Sequence, residues 1–379
     1  MRYLPFAPEG GAGYAGAMNT AISAFLDQEG PVLALDIGSG TQDALLALPG
    51  CLPENWPRFV LPTPALGVAA RVRALTQERR PLWLCGPVMG GGFAPALQDH
   101  LARGLPAAAT PQAASALHDD PERVRKLGVT ITENRPEGFV PVLLADYDPG
   151  FWNALLACAG LPRPALVTAA AQDHGVHAGT GNREGRFRLW HDLLLSSHGD
   201  PALWLYDTPP APCTRLAALG RAIGGGPVAD SGAAAALGAL STPEVARRSD
   251  GEGVLVVNAG NSHTVAFLVF QRRILGVYEH HTGLVTTAAL LRDLDEFRRG
   301  WLPDEQVRAA GGHGCVMLDL PAEAEGFRPA FILGPRRELL AGHGAFIAPH
   351  GDMMLAGCHG LLHGLALRHA AAQDEKQEY

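Results

Sequence analysis

The chain has 379 residues, 47% of them hydrophobic and 18% charged, with a formal net charge of −8. That length supports an ample core and two domains, and the acidic balance argues against nucleic acid, whose binders display a basic face. No run of about 18 apolar residues suggests a membrane span, and the N-terminus lacks the basic region and unbroken apolar core of a signal peptide.

Residues 1–30 are rich in Gly and Ala and read as a loose N-terminal extension. From residue 31 the pattern becomes α/β. An apolar run at 32–35 leads into Asp36-Ile37-Gly38-Ser39-Gly40-Thr41-Gln42-Asp43, and a second apolar run follows. This reads as strand, tight glycine turn, strand, in which glycine lets backbone N–H groups approach an anion. Strands are expected at 32–37, 44–48, 58–62, 82–85, 140–146 and 165–171, and helices near 64–79, 93–103, 111–126, 149–159 and 183–195. Such alternation implies a largely parallel sheet with helices on its faces. From about residue 200 come Leu203-Trp204-Leu205-Tyr206-Asp207, a helix near 212–222, and an Ala-rich run at 233–240 that reads as a packed helix. The first motif then returns in altered form as Asn258-Ala259-Gly260-Asn261-Ser262-His263-Thr264-Val265. A division near residue 250 separates a first lobe, 31–250, from a second, 251–379.

Rossmann and methyltransferase sites also begin with an acidic residue before Gly-x-Gly, but a long helix must start at their loop. Here only five residues, 44–48, precede Pro49-Gly50, with Pro53 and Pro57 close behind, and Gln42 occupies the place of the third glycine. A returning strand fits this stretch better than a helix.

The paired hairpins resemble the superfamily of actin, sugar kinases and heat-shock chaperone ATPases. The resemblance implies a two-lobed, ribonuclease H-like α/β fold with one phosphate hairpin in each lobe. It implies ATP and Mg²⁺ as cofactors, with Asp36 reaching the metal through water. Gly38, Ser39, Gly40 and Thr41 would form the first phosphate loop, and Gly260, Asn261, Ser262, His263 and Thr264 the second. Asn258 stands where that superfamily usually has Asp, and an amide can still orient a metal-bound water. Gly334, in Ala330-Phe331-Ile332-Leu333-Gly334, is a candidate for the adenosine site, as is 341–344. More narrowly, LDIGSGTQD, AAAQDHG, VNAGNSHTVAF and GDMMLAGCHGLLHGL resemble a family often labelled "putative pyruvate formate-lyase activating enzyme". The chemistry in that label needs three closely spaced thiolates to hold a cluster. The six cysteines here, Cys51, Cys85, Cys158, Cys213, Cys315 and Cys358, are scattered without CxxC spacing and read as reduced, buried thiols of a cytoplasmic protein.

Phosphoryl transfer asks for positioning, a metal, and a carboxylate to accept the nucleophile's proton. Asp146, Asp148, Asp173, Asp207 and Asp230 fall at strand ends, where α/β sheets place ligands. Asp173 is the preferred base because Gln172-Asp173-His174 closes a wholly apolar run; capping of the next helix is the alternative. His359 and His363, spaced i, i+4, share a helix face and could bind a metal, or simply pack among leucines. The stretch 279–283, the glycine loop 86–92, and the cluster Arg183, Arg186 and Arg188 are further candidates for the cleft, each with a plain structural reading beside it.

The expected function is nucleotide binding with ATP-dependent phosphoryl transfer to a small metabolite, Asp36 and Asp173 being the catalytic residues. The alternatives are a regulatory ATPase acting on a partner protein, an enzyme of another phosphorylated ligand on the same fold, and an S-adenosylmethionine-dependent methyltransferase.

Overall fold

The computed structural model describes residues 11–177 and 181–377. Its first sheet grows from the run Val32–Ile37, strand β1, whose side chains are buried on both faces apart from the half-buried Asp36. The chain turns back at once into β2 (Thr41–Ala47) and then β3 (Arg58–Pro62), both antiparallel. It then leaves this sheet to build another from β4 (Leu82–Cys85), β5 (Ala107–Ala109), β6 (Val129–Ile131) and β7 (Val140–Leu143). Here all pairings are parallel and the order is β6-β5-β4-β7. On its return it adds β8 (Leu166–Ala171) and β9 (Val228–Ala229) in parallel, closing the first sheet as β3-β2-β1-β8-β9.

The last third repeats the plan. Strands β10 (Val254–Ala259), β11 (His263–Phe270), β12 (Arg273–His281), β13 (Gly314–Met317), β14 (Ala330–Leu333) and β15 (Ala345–Phe346) follow one another. They form a sheet ordered β13-β12-β11-β10-β14-β15. As in the first sheet, an antiparallel meander stands on one side of the central strand and two parallel strands on the other. Two sheets of this order in one chain make the duplicated, ribonuclease H-like architecture of the actin-like ATPases.

The two repeats share one core. Helix Ser231–Leu240 has every residue from Gly232 to Leu240 buried, and it packs with helix Ala356–Gln377 among side chains of β1, β2, β10 and β11. Glycine makes this possible. A Cβ on Gly238 would lie 2.0 Å from the Ala356 carbonyl oxygen, and one on Gly360 would lie 1.9 Å from that of Ala234.

Three expectations change. The single sheet foreseen for the first lobe is two sheets, and the second has its own core around Leu82, Leu84, Phe93, Leu97 and Val142. The helix foreseen over 111–126 is two short ones, Pro111–Ala114 and Pro121–Lys126, because Pro121 lacks the N–H that a continuous helix needs there. Residues 11–29, foreseen as loose, form a helix that buries Ile22, Phe25 and Leu26. Residues 1–10 lie outside the described residues.

Candidate functional site

The two glycine turns are built alike. In the first, Asp36 and Asp43 sit directly opposite across β1 and β2, and the Gly38 N–H donates to the Thr41 carbonyl (2.9 Å). In the second, Asn258 and Val265 sit opposite across β10 and β11, and the Gly260 N–H donates to the His263 carbonyl (2.9 Å). The turns also meet: a Cβ on Gly40 would lie 3.1 Å from Asn261 Nδ2. Between them opens a cleft of about 460 Å³, lined by Asp36, Ser39, Thr41, Asn261, Ser262 and His263 among others. Residues 88–92 and 115–119, from the inserted β4–β7 region, form another wall, and Gly334 and Pro335 lie at its edge.

Only the first hairpin carries acid. Opposed residues of an antiparallel pair project from the same face, so the Asp36 and Asp43 carboxyls crowd together. Burial pushes Asp36 up to about 6, and the Asp230 charge adds to this while the Ser231 hydrogen bond and Arg215 oppose it. Burial, then the Asp36 charge, pushes Asp43 up to about 8. Ser231 Oγ donates to Asp36 Oδ1 (2.7 Å), whereas Asp43 Oδ1 is buried without a partner. The N-terminal turn of helix Ala356–Gln377 abuts the pair at Gly357, where a Cβ would lie 2.1 Å from Asp36 Oδ2. Glycine at 357 therefore leaves room for the carboxylate, and the positive end of the helix dipole faces it. Sequence reasoning missed Asp43 and Gly357. The hairpin register held the signal for Asp43, since two residues equidistant from a tight turn must oppose each other.

Of the residues expected to hold phosphate, Gly38, Ser39, Thr41, Asn258, Gly260, Asn261, Ser262 and His263 line the cleft, as does Gly334. Thr264 does not. It is fully buried and bonds Thr282 Oγ1 (3.0 Å), which in turn donates to the Gly260 carbonyl (2.9 Å), so it props the turn from behind. Gly40 meets Asn261 rather than the cleft. Gly334 has φ +96° and packs against Asn258 Oδ1 and the Ala259 carbonyl, where a Cβ would come within 2.6 and 2.4 Å.

The other carboxylates have structural partners. Asp173 accepts from the N–H groups of Gly175 and Leu216, both at 2.9 Å. It thus holds the first turn of helix Thr214–Ala222 while lining the cleft, and each oxygen keeps a second lone pair; burial raises its pKa against those bonds. Asp146 is clamped by Arg215 Nε and Nη2 (2.7 and 2.9 Å). Asp148 caps helix Pro149–Cys158, Asp230 caps Ser231–Leu240, and the exposed Asp207 pairs with Arg368. Of the arginine cluster, Arg183 and Arg188 are exposed. Arg186, 2% exposed, binds Asp230 at 2.9 Å and Glu279 at 2.6 Å. The stretch 279–283 stands behind the cleft wall, with Glu279 and His280 buried. His359 and His363 are buried too, and His359 stacks on His350.

Four other residues do gather with metal-ligating atoms close together. His174, His263, Glu279 and His313 place one such atom each within 4.8 Å of one another, the one group of this kind among the described residues. Burial keeps the three imidazoles neutral: it lowers His174 well below its ordinary value, His263 to about 4 and His313 to about 2. Burial works against the Glu279 charge, but the charge and hydrogen bond of Arg186 weigh most on the other side, and that carboxyl sits below its ordinary value. No spacing in the sequence announces this group.

Of the six cysteines expected to be buried, Cys213, Cys315 and Cys358 are, whereas Cys51 and Cys158 are exposed and Cys85 is half-buried, and no three gather among the described residues. They do not fit an iron–sulfur cluster.

No curated protein matches the chain. Similar solved structures include the inorganic polyphosphate/ATP-glucomannokinase from Arthrobacter sp. strain KM, 13% identical, covering 89% of this chain and 99% of that one with a TM-score of 0.33. A ROK hexokinase from Thermus thermophilus is 14% identical, covering 91% and 99%, with a TM-score of 0.28. The ethanolamine utilization protein EutJ from Carboxydothermus hydrogenoformans is 9% identical, covering 92% and 98%, with a TM-score of 0.26. It is the strand order, not these likenesses, that defines the fold. Residues 89–339 match the family described as "Putative pyruvate format-lyase activating enzyme (DUF1786)", and the chain belongs to that family.

Proposed function

We propose that the chain binds a nucleoside triphosphate with Mg²⁺ in the cleft and transfers the terminal phosphoryl group to a small metabolite. One observation carries this reading: two glycine turns of equal length face each other across the cleft, and only one of them bears an acid pair. Backbone N–H groups and the hydroxyls of Ser39, Thr41 and Ser262 suit a phosphate chain held from both sides.

The residues also fit the metal. Burial holds both the Asp36 and Asp43 carboxyls above their ordinary range, the Asp36 charge adds to this at Asp43, and Asp43 Oδ1 is left without a partner. A hard dication with oxygen ligands relieves that strain. Bound there, Mg²⁺ would neutralise charge on the phosphates and orient them. The chain's own residues do the rest. Ser231 holds the Asp36 rotamer, Gly357 leaves it room, and Asn258 faces the cleft at the equivalent place in the second repeat. Asp173 and Arg215 fix the floor, since Arg215 Nη1 donates to the Gln172 carbonyl (2.7 Å) while clamping Asp146.

Calorimetry with ATP tests this. We expect Mg²⁺-dependent binding with Kd between about 1 μM and 1 mM, lost in Asp36→Ala. Absence of nucleotide binding, with and without Mg²⁺, overturns the proposal.

A further inference from the structure

We propose that His174, His263 and His313, with Glu279 beside them, form a binding site for a divalent transition metal ion of the zinc class, separate from the acid pair at Asp36. The site does not depend on the nucleotide reading.

The geometry is that of a ligand set. His263 Nε2 and His313 Nε2 are 3.1 Å apart. Two imidazole nitrogens on one tetrahedral metal, with bonds of ~2.0–2.1 Å, stand ~3.3 Å apart. The His174 ring stacks on His313 with centroids 4.9 Å apart, and all four ligand atoms fit within 4.8 Å. Among protein groups, the two Nε2 atoms that face the centre of the cluster contact one another, sharing a single N–H···N bond.

Glu279 is the one carboxylate among the ligands, Arg186 divides its guanidinium between it and Asp230, and Arg183 also acts on His313. Gln172 Nε2 donates to Glu279 Oε1 (2.6 Å) and Arg186 Nε to Oε2 (2.6 Å), which fixes the carboxylate at the cluster. Imidazole and carboxylate donors suit Zn²⁺, Fe²⁺, Co²⁺ or Ni²⁺ rather than Mg²⁺. Three histidines and one carboxylate can also leave a coordination position free. His174 and His263 line the cleft, so such a position would face whatever anion the cleft holds.

The ligands come from both repeats. His174 follows β8 of the first sheet, whereas His263 opens β11, Glu279 lies in β12 and His313 immediately precedes β13 of the second. A bound ion would therefore tie the sheets together at the cleft wall.

The test uses the full chain without a polyhistidine tag, stripped with chelator and titrated with Co²⁺. We expect close to one Co²⁺ per chain, with the visible absorption of a low-coordinate, histidine-bound ion that Zn²⁺ displaces. Affinity should fall by about 100-fold or more in His313→Ala. His313 is buried, so folding of the variant is checked by circular dichroism. His174→Gln alters a residue on the cleft wall and should weaken binding without repacking a core. Asp36→Ala should bind Co²⁺ as the unaltered chain does, which separates this centre from the nucleotide site. No Co²⁺ uptake by the unaltered chain, or equal uptake by folded His313→Ala and His174→Gln, overturns the proposal.

Discussion

The Asp36–Asp43 pair sets a pH dependence that the metal-free protein should display. An unfolded Asp titrates near ~3.9, whereas in the native state Asp36 is pushed up to about 6 and Asp43 to about 8. Between those limits the native state binds more protons than the unfolded one. Stability is therefore full below the unfolded value and is lost as pH rises through the native values. The buried histidines act in the opposite sense, since neutral His263 and His313 lose stability as pH falls below ~6.5. Above that pH they are neutral in both states, which isolates Asp43. Metal-free protein should lose up to about 1.4 kcal/mol per pH unit between about pH 6.5 and 8. Asp43→Asn keeps the shape and removes the titration, so urea unfolding of that variant should be nearly flat over the same range. Equal slopes in the two proteins would show that the carboxyl is not protonated in the native state.

At the scale of elements, the close approach of helices Ser231–Leu240 and Ala356–Gln377 decides the sign of a simple substitution. In an exposed helix interior, Gly to Ala gains about 1 kcal/mol from propensity. At Gly360 the new methyl would meet the Ala234 carbonyl at 1.9 Å, and overpacking of that kind costs about 1–3 kcal/mol or more. Gly67, inside helix Pro64–Gln77, has nothing within 4 Å of its would-be Cβ. We expect Gly360→Ala to lower the urea midpoint and Gly67→Ala to raise it; the same sign at both sites would refute the packing argument. The sequence was uneven as a guide to these elements. The hairpins were legible because a glycine turn between apolar runs admits few structures. The inserted sheet was not. Its strands β5 and β6 are three residues each, and Ala107–Ala109 carries neither the alternation nor the branched side chains that mark a strand.

For the whole molecule, the cleft-lining turns could be read from their motifs, but what joins the two repeats could not. In the sequence Arg186 is one of a cluster of three arginines, whereas in the fold it is buried with its guanidinium divided between Asp230 of the first repeat and Glu279 of the second. Nothing local in Asn182-Arg183-Glu184-Gly185-Arg186 distinguishes it from exposed Arg183; its environment is made by residues 44 and 93 positions away. The histidine cluster was hidden for the same reason, because its members stand at 174, 263, 279 and 313 with no periodic spacing. This network gives a prediction at the scale of the molecule. Arg186→Met removes the one cation and leaves two carboxylates buried, at a cost of about 3–5 kcal/mol. Adding Glu279→Gln removes one stranded charge, so the double variant should be more stable than Arg186→Met alone, and a double-mutant cycle reads the coupling across the repeats. A cost below about 1 kcal/mol for Arg186→Met would place the bridge among solvated pairs. Association of the repeats would then rest on the apolar layer of the two glycine-bearing helices alone.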